Sequence, residues 1–256
     1  PTLLRIATLL CGLVLTAQGH VGTGPEAHQI RHAQNFEVAD YGSYKILSVS
    51  NANRDSTEIY HYALVPRSSK LPDLPPGAKV IRTPVERVVV METVHVGYLE
   101  ALHCLDSIIG AATTNFISNP GVRSRVESGM IKKVQFGQAM DVEQLLLLQP
   151  DLILTSISGD ANFDVPPKLQ RTGLPLVFSA GYMEQNPLAR AEWIKFMAAF
   201  FEKEEKAEEI FQEVESHYEA LVKLTEGIEA KPTVLCGAPY TSIWHVPGGN
   251  SYTAQS

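Results

Sequence analysis

The chain has 256 residues, of which 45% are hydrophobic and 19% charged, and its formal net charge is −7. This composition supports a buried core and excludes an intrinsically disordered protein. Nucleic-acid binders usually need a basic face, so the acidic balance predicts no nucleic-acid partner. The cysteines Cys11, Cys104 and Cys236 have no C-x-x-C spacing, which excludes a disulfide scaffold and a structural zinc site.

Residues 1–19 are predicted to be a secretory signal peptide. Arg5 is followed by an apolar run too short to span a bilayer, which takes about 20 residues. Ala17 and Gly19 are the small residues at the two positions that a signal peptidase recognises, so cleavage is expected after Gly19. We therefore expect export to the periplasm. A lipid anchor on Cys11 is the less favoured alternative, because Leu10 precedes it where Gly or Ala is expected.

Residues 20–83 are predicted to form an N-terminal β extension. Its polar lead-in contains three histidines, and an unstructured segment is favoured there over a metal-binding tract. Alternating segments at 44–49 and 59–65 are rich in β-branched and aromatic residues and predict a β-hairpin. The proline-rich stretch 71–77 predicts a stiff linker between this extension and the rest of the chain.

Residues 84–186 alternate between apolar strands and helices, which predicts a parallel sheet with right-handed crossovers. The strands are expected at 87–91, 108–111, 151–155 and 174–178, and the helices at 96–105, 142–149 and 166–172. Asp141 and Gln144 have the spacing of a capping box that opens the second of these helices.

Residues 187–230 are predicted to be a helical connector with a joint near 201–203. An apolar stripe repeats at helical spacing along its second half, at Ala207, Phe211, Val214, Tyr218 and Leu221. Strands predicted at 233–236 and 243–246 begin a second sheet domain, of which only residues 231–256 are present. A domain takes at least about 50 residues, so this second lobe is expected to be incomplete.

Several motifs, taken in this order, resemble a known family. They are Pro84-Val85-Glu86-Arg87-Val88-Val89-Val90, Leu99-Glu100-Ala101-Leu102, Ile108-Ile109-Gly110, Asp141-x-Glu143-x-Leu145 and Leu148-x-Pro150-Asp151-Leu152-Ile153, followed by the long helix. Over about residues 84–256 the chain is similar to substrate-binding proteins of ABC importers for ferric siderophores, haem and cobalamin. The stretches 186–193 and 247–251 resemble one branch that also carries an N-terminal β extension.

The resemblance implies an α/β fold with two Rossmann-like lobes, each a parallel sheet with flanking helices, joined by a long backbone helix. Here the N-terminal ligand-binding lobe is expected at 84–186, preceded by the β-hairpin extension. The resemblance also implies a monomer that captures a ferric siderophore, haem or cobalamin. The resemblance further implies that this monomer delivers the ligand to an ABC permease and its ATPase at the inner membrane, and that it holds no intrinsic cofactor.

Ligands of open parallel sheets sit outside the carboxyl ends of the strands. His95 follows the first strand, where an exposed imidazole could contact a chelate, or alternatively cap the next helix. Tyr182 follows the fourth strand and could stack on a planar ligand, and Trp244 is equally compatible with a core position. The complete set of candidate ligand-binding residues is Thr93, His95, Thr114, Asn115, Ser158, Asn162, Tyr182, Met183, Tyr240, Trp244 and His245.

In the family that the chain resembles, an acidic residue on the rim of each lobe pairs with arginines of the permease. The residues that match this role in the first lobe are Asp164, with Glu184 behind it. The partner on the second lobe is expected outside this chain.

The sequence predicts no enzyme, because it contains no nucleophile elbow, phosphate-binding loop, H-E-x-x-H helix or dinucleotide fingerprint. Two alternatives remain. One is a zinc or manganese carrier, which would need several His and carboxylate side chains around one small site. The other is a metal-chelate processing enzyme such as a chelatase, with His95 and His245 facing each other. A bulky chelate is favoured, since only these two histidines lie at likely strand or loop ends.

Overall fold

The computed structural model describes residues 26–27, 29–51, 56–157, 164–229, 233–240, 243–244, 246–249 and 251–255. The predicted signal peptide, including Cys11, lies outside these ranges. Within them, no helix combines the length and the apolar character that crossing a membrane requires.

The first sheet, here called the extension sheet, contains five strands in the order of the chain. They are β1 (Glu26–Ala27), β2 (Phe36–Asp40), β3 (Lys45–Ser50), β4 (Ile59–Pro66) and β5 (Lys79–Thr83). The predicted hairpin is confirmed as the antiparallel pair β3–β4. The strands β1, β2 and β5 were not predicted. In β2 only Phe36 and Val38 are buried, which is too short an alternation to stand out from the polar lead-in.

The second sheet, here called the lobe sheet, is parallel, as the alternation predicts. Its strands are β6 (Val88–Val90), β7 (Ile108–Ala111), β8 (Lys132–Lys133), β9 (Leu152–Ser156) and β10 (Leu176–Ser179), in the spatial order β10-β9-β6-β7-β8. Four of these strands match the predicted ones. The fifth, β8, was missed because it is an exposed Lys-Lys pair on the edge of the sheet, without any apolar pattern.

Four helices connect the strands of the lobe sheet, namely α1 (Thr93–Ala101), α2 (Pro120–Glu127), α3 (Val142–Leu148) and α4 (Pro167–Gln170). Asp141 caps α3 as predicted, because its carboxylate accepts the backbone N–H groups of Glu143 and Gln144 at 3.0 and 3.1 Å. The second half of the predicted capping box is absent from this helix. The Gln144 side chain instead donates to the carbonyl oxygen of Lys133, at 3.1 Å.

The helical connector consists of α5 (Pro187–Ala199) and α6 (Glu204–Thr225), which confirms the predicted joint. The last elements are β11 (Pro239–Tyr240), β12 (Ile243–Trp244) and α7 (Tyr252–Gln255). The predicted strand at 233–236 is wrong, because that stretch has no regular structure. Among the described residues β11 and β12 pair only with each other, so the apolar side chains of Val234 and Leu235 find no sheet to join and stay exposed.

One hydrophobic cluster joins both sheets and the helical connector. Phe36 of β2 lies with its ring centroid 4.8 Å from that of Trp193 and 5.7 Å from that of Phe196, both on α5. The extension sheet also covers the edge of the lobe sheet, where the Tyr62 hydroxyl accepts the backbone N–H of Phe178 in β10 at 3.0 Å. The extension and the lobe therefore fold on a common core, although the sequence predicts a linker between them.

Candidate functional site

The order of the strands defines where the lobe sheet can hold a ligand. The chain runs from β6 to β7 and β8 on one side, then crosses to β9 and β10 on the other side. The direction of winding therefore reverses between β6 and β9. Parallel sheets bind ligands in the crevice outside the carboxyl ends of the strands at such a reversal. We call this place the strand-end crevice.

Glu92 spans the strand-end crevice. It follows β6 and takes the N-cap position of α1, but its side chain makes no capping hydrogen bond. Instead, Ser156 at the end of β9 donates its backbone N–H to one carboxylate oxygen at 2.8 Å and its hydroxyl to the other at 2.7 Å. A carboxylate has about four acceptor positions. Glu92 is half-buried and keeps acceptor capacity for a ligand, so it is a candidate site residue that the sequence analysis missed.

His95 lies beneath the crevice and does not face it. Its side chain is 1% exposed, so the expectation of an exposed imidazole is wrong. It does not cap α1 either, because the N-cap position belongs to Glu92. The Nε2 atom lies 3.2 Å from the Ser179 hydroxyl, while Nδ1 has no partner among the described residues. Burial lowers the pKa of His95, against the opposing charge of Glu92. The imidazole is buried because His95 lies in the first turn of α1, on the face of the helix that packs against the sheet.

Tyr182 stands on the surface beside the crevice, with 45% of its area exposed. The hydroxyl of Tyr182 donates to the carbonyl oxygen of Ile157 at 2.6 Å, and the guanidinium of Arg190 donates to the carbonyl oxygen of Tyr182 at 2.6 Å. Burial, and then the charges of Asp164 and Glu92, raise the pKa of Tyr182. The side chain is thus held at its hydroxyl end and partly exposed, and its stacking on a ligand stays a prediction. The neighbouring Met183 is half-buried.

The loop after β7 brings a second aromatic ring to the same edge of the sheet. Thr114 is half-buried and Asn115 exposed, in a short 3-10 turn that follows Thr113, whose φ is 49°. The next residue, Phe116, is 78% exposed. Sequence reasoning missed Phe116, although an aromatic residue inside a polar loop at a strand end was a usable signal.

Other candidates are placed less completely. Thr93 is half-buried as the first residue of α1. Ser158, Asn162 and His245 lie outside the described residues, as does the side chain of Tyr240. Trp244 is 43% exposed and its indole N–H donates to the carbonyl oxygen of Cys236 at 3.2 Å.

The last helix also approaches this edge of the lobe. The ring centroid of Tyr252 in α7 lies 3.7 Å from the guanidinium carbon of Arg190, and Arg190 also donates a hydrogen bond to the backbone carbonyl of Tyr182. Tyr252 is therefore a further candidate that the sequence analysis did not name.

Glu184 cannot be a docking residue on the surface, which corrects the sequence-based expectation. Its side chain is only 3% exposed. One of its carboxylate oxygens accepts the backbone N–H groups of Gln34 and Asn35, both at 3.0 Å, and the indole N–H of Trp193 at 3.1 Å. An arginine of another protein cannot reach this carboxylate without displacing the N-terminal segment. Asp164 is half-buried, and its docking role stays a prediction.

Glu192 completes the same arrangement from the next helix. It is 0% exposed and accepts the backbone N–H groups of Arg31, His32 and Ala33 at 2.9, 2.7 and 2.9 Å. Burial raises its pKa, but these three hydrogen bonds and the ammonium of Lys195 at 3.1 Å outweigh burial, so the pKa is lowered. We call Glu184 and Glu192, with the segment 31–35 that they bind, the anchor. Glu192 belongs to the stretch 186–193, so this stretch helps to hold the N-terminal extension in place.

Across the described ranges, no three side chains of His, Cys, Asp or Glu come together in a way that could hold a metal ion. The strand-end crevice thus combines one open carboxylate with exposed apolar side chains. Those apolar side chains follow three strands of the lobe sheet and are Val94, Phe116 and Tyr182.

Comparison with known proteins places the lobe in a family. Residues 88–255 match the family described as "Periplasmic binding protein". Two curated relatives are uncharacterized lipoproteins of Methanocaldococcus jannaschii. One is 29% identical over 185 residues, which cover 69% of this chain and 44% of the relative. The other is 26% identical over 221 residues, which cover 80% of this chain and 52% of the relative. The chain thus spans about half the length of these curated relatives.

Two solved structures show the same fold. A periplasmic binding protein from Veillonella parvula DSM 2008 superposes with a TM-score of 0.56 at 16% identity, covering 82% of this chain and 62% of that one. A possible iron-binding, periplasmic solute-binding protein from Staphylococcus epidermidis ATCC 12228 gives 0.52 at 18% identity, covering 67% and 63%. The predicted α/β fold class, with a parallel sheet and flanking helices, is confirmed.

Proposed function

Because the chain belongs to the periplasmic binding protein family, we propose that it is the extracytoplasmic solute-binding component of an ABC importer. Its cargo is a metal chelate, namely a ferric siderophore, haem or cobalamin. The protein captures this ligand and delivers it to the membrane permease, whose ATPase drives uptake. Members of this family bind their ligands and are not enzymes, so we expect no conversion of the cargo.

The observation that carries this proposal is the chemistry of the strand-end crevice. Its centre is the carboxylate of Glu92, held by Ser156, and its rim is formed by exposed apolar side chains, two of them aromatic. Sites for organic ligands are mostly apolar, with a few polar groups that fix orientation. A bare zinc or manganese ion would instead need several converging nitrogen, sulfur or oxygen ligands. The crevice therefore favours a bulky chelate.

The remaining parts of the proposal concern the whole protein, of which this chain spans about half judged by its curated relatives. The second lobe would close over the ligand with Tyr240, Trp244 and His245. The protein would act as a monomer and present Asp164 to arginines of the permease. Export would use residues 1–19. Because two of the curated relatives are described as lipoproteins, a lipid anchor on Cys11 is the alternative to release into the periplasm.

A titration of the full-length protein by tryptophan fluorescence tests the proposal. The probes are ferrichrome, haemin and cyanocobalamin, with zinc chloride and manganese chloride as the competing class. We expect one of the three chelates to quench the fluorescence at micromolar concentration or below. Stoichiometric binding of zinc or manganese, with no response to any chelate, would contradict the proposal.

Replacing Glu92 ties the binding to the crevice. Glu92→Gln removes the charge but keeps the shape, and we expect the affinity for the bound chelate to fall about tenfold, as for loss of a charged hydrogen bond. Glu86→Gln is the matched control, because Glu86 precedes the same strand at its amino end and its side chain is 67% exposed. Equal affinities of the two variants would show that the ligand binds elsewhere.

A further inference from the structure

The extension sheet meets the lobe sheet at the carboxyl end of β10. Tyr60 and Tyr62 lie two residues apart on β4 and therefore point to the same face. Tyr62 is fully buried and fastens β10 through the backbone N–H of Phe178. Tyr60 is half-buried, and its ring centroid lies 4.8 Å from that of Phe178. The extension thus places an incompletely covered aromatic ring beside the strand end that leads to Tyr182.

The hydroxyl of Tyr60 points towards an exposed carboxylate. It donates a hydrogen bond to Glu58, an exposed residue directly before β4. Burial first, and then Glu58 and the charge of Asp164, raise the pKa of Tyr60. Asp164 and Glu92 also raise the pKa of Tyr182. Asp164 is therefore within electrostatic range of both tyrosines. The polar side chains between the strand-end crevice and the extension are thus Glu92, Asp164 and Glu58.

These contacts give the extension a place at the ligand site. We infer that the extension sheet forms a side wall of the site, where Tyr60 and Glu58 contact the organic part of the bound chelate. The inference rests on the proposed function. It goes beyond the family match, which begins at residue 88, after the whole extension.

The dimensions of the sheet limit which ligands can touch this wall. β10 lies two strands away from β6, or about 10 Å at the usual spacing between strands. A bare ion held by Glu92 does not reach across that distance, whereas a wide chelate does. Tyr60 offers the uncovered part of its aromatic side chain, and Glu58 offers acceptor oxygens. The wall therefore selects chelates whose periphery carries N–H or O–H donors.

The test compares two conservative variants of the full-length protein with matched controls. Tyr60→Phe keeps the ring against Phe178 and removes only the hydroxyl, while Glu58→Gln removes only the charge. Glu37→Gln is the control for charge, because Glu37 is exposed on β2 of the same sheet. Tyr41→Phe is the control for the hydroxyl, because Tyr41 lies in the turn at the opposite end of the sheet and is 45% exposed.

Affinities are measured by fluorescence titration with ferrichrome, haemin and cyanocobalamin, and thermal unfolding midpoints are recorded for every variant. For the chelate that binds the natural protein, we expect both wall variants to lose about five- to tenfold in affinity, with both controls within about twofold. Wall variants that bind within twofold of the natural protein would overturn the inference, whether or not their unfolding midpoints fall. A natural protein that binds none of the chelates would contradict the proposed function itself, and the inference with it.

Discussion

Glu192 and Glu92 both accept backbone N–H groups, yet they belong to regions of opposite character. Glu192, in the anchor, is fully buried and is satisfied by three N–H groups and an ammonium. Glu92, in the strand-end crevice, is half-buried, and within the described part of the chain it accepts two hydrogen bonds, both from Ser156. The same side chain is thus closed off in one place and left open in the other. What surrounds a glutamate, rather than its presence, separates a structural role from a binding role.

The two regions also differ in how completely their polar groups are used. Together the two anchor glutamates accept the N–H groups of five consecutive residues, 31–35, that would otherwise have no strand or helix to bond with. Buried polar groups are almost always paired in this way. Below the crevice, by contrast, the Nδ1 atom of His95 is buried without a described partner. The anchor is built for stability, whereas the crevice gives up some stability where a ligand is expected.

The largest expected effect comes from opening the anchor. Glu192→Ala leaves three buried backbone N–H groups without their acceptor and removes one of the two ion pairs of Lys195, so we expect the free energy of unfolding to fall by about 3 kcal/mol or more. Urea unfolding followed by circular dichroism measures this loss. Glu209→Ala is the control, because the Glu209 side chain is 70% exposed on α6. A loss below about 1 kcal/mol would mean that the segment 31–35 is held by its apolar contacts instead.

The anchor also has a defined dependence on pH. The pKa of Glu192 in the folded protein lies below its unfolded value of 4.5. The folded state therefore binds fewer protons, and the stabilisation is complete above that value and is lost as the pH falls through the folded pKa. Glu192→Ala should accordingly lose this part of the acid dependence, while Glu209→Ala should keep it.

The sequence predicted the lobe sheet better than it predicted the site. Continuous apolar runs such as Val88–Val90 have one stable solution, a strand covered on both faces, and so β6, β7, β9 and β10 could be located. Whether a polar residue beside such a strand points outwards depends on packing that the sequence does not specify. His95 and Glu184 were expected to be exposed and are buried, whereas Glu92 and Phe116 were overlooked. The anchor was equally invisible, because it joins residues about 160 positions apart.

A further prediction concerns the pH range in which the buried His95 makes the folded protein less stable. Burial lowers the pKa of His95 below its unfolded value of 6.5, so the unfolded state binds more protons just below that pH. Stability is therefore full above about pH 6.5 and falls as the pH decreases towards the folded pKa, by up to about 1.4 kcal/mol per pH unit. Urea unfolding between pH 7.5 and pH 5.5 measures the slope.

His95→Gln removes the titrating ring, so its stability should change less over this range than that of the natural protein. His61→Gln is the control, because His61 is exposed on β4 of the extension sheet. An unchanged slope in His95→Gln would assign the loss of stability to other groups. Together with the Glu192 variant, this measurement distinguishes the two regions by the pH range in which each one loses its contribution to the free energy of unfolding.

The smallest effect on stability is expected for a residue on the rim of the crevice. There a substitution should weaken ligand binding but hardly change the free energy of unfolding. Phe116 is 78% exposed, so Phe116→Ala should change the free energy of unfolding by no more than about 0.5 kcal/mol. If the ring packs on the chelate, the same change should weaken binding about three- to tenfold in the fluorescence titration. Leu147→Ala is the control, because Leu147 is 85% exposed on α3. Equal affinities in both variants would remove the loop after β7 from the site and leave Glu92 and Tyr182 to contact the ligand. A loss confined to Phe116→Ala would show that the exposed rim, unlike the anchor, serves binding at almost no cost in stability.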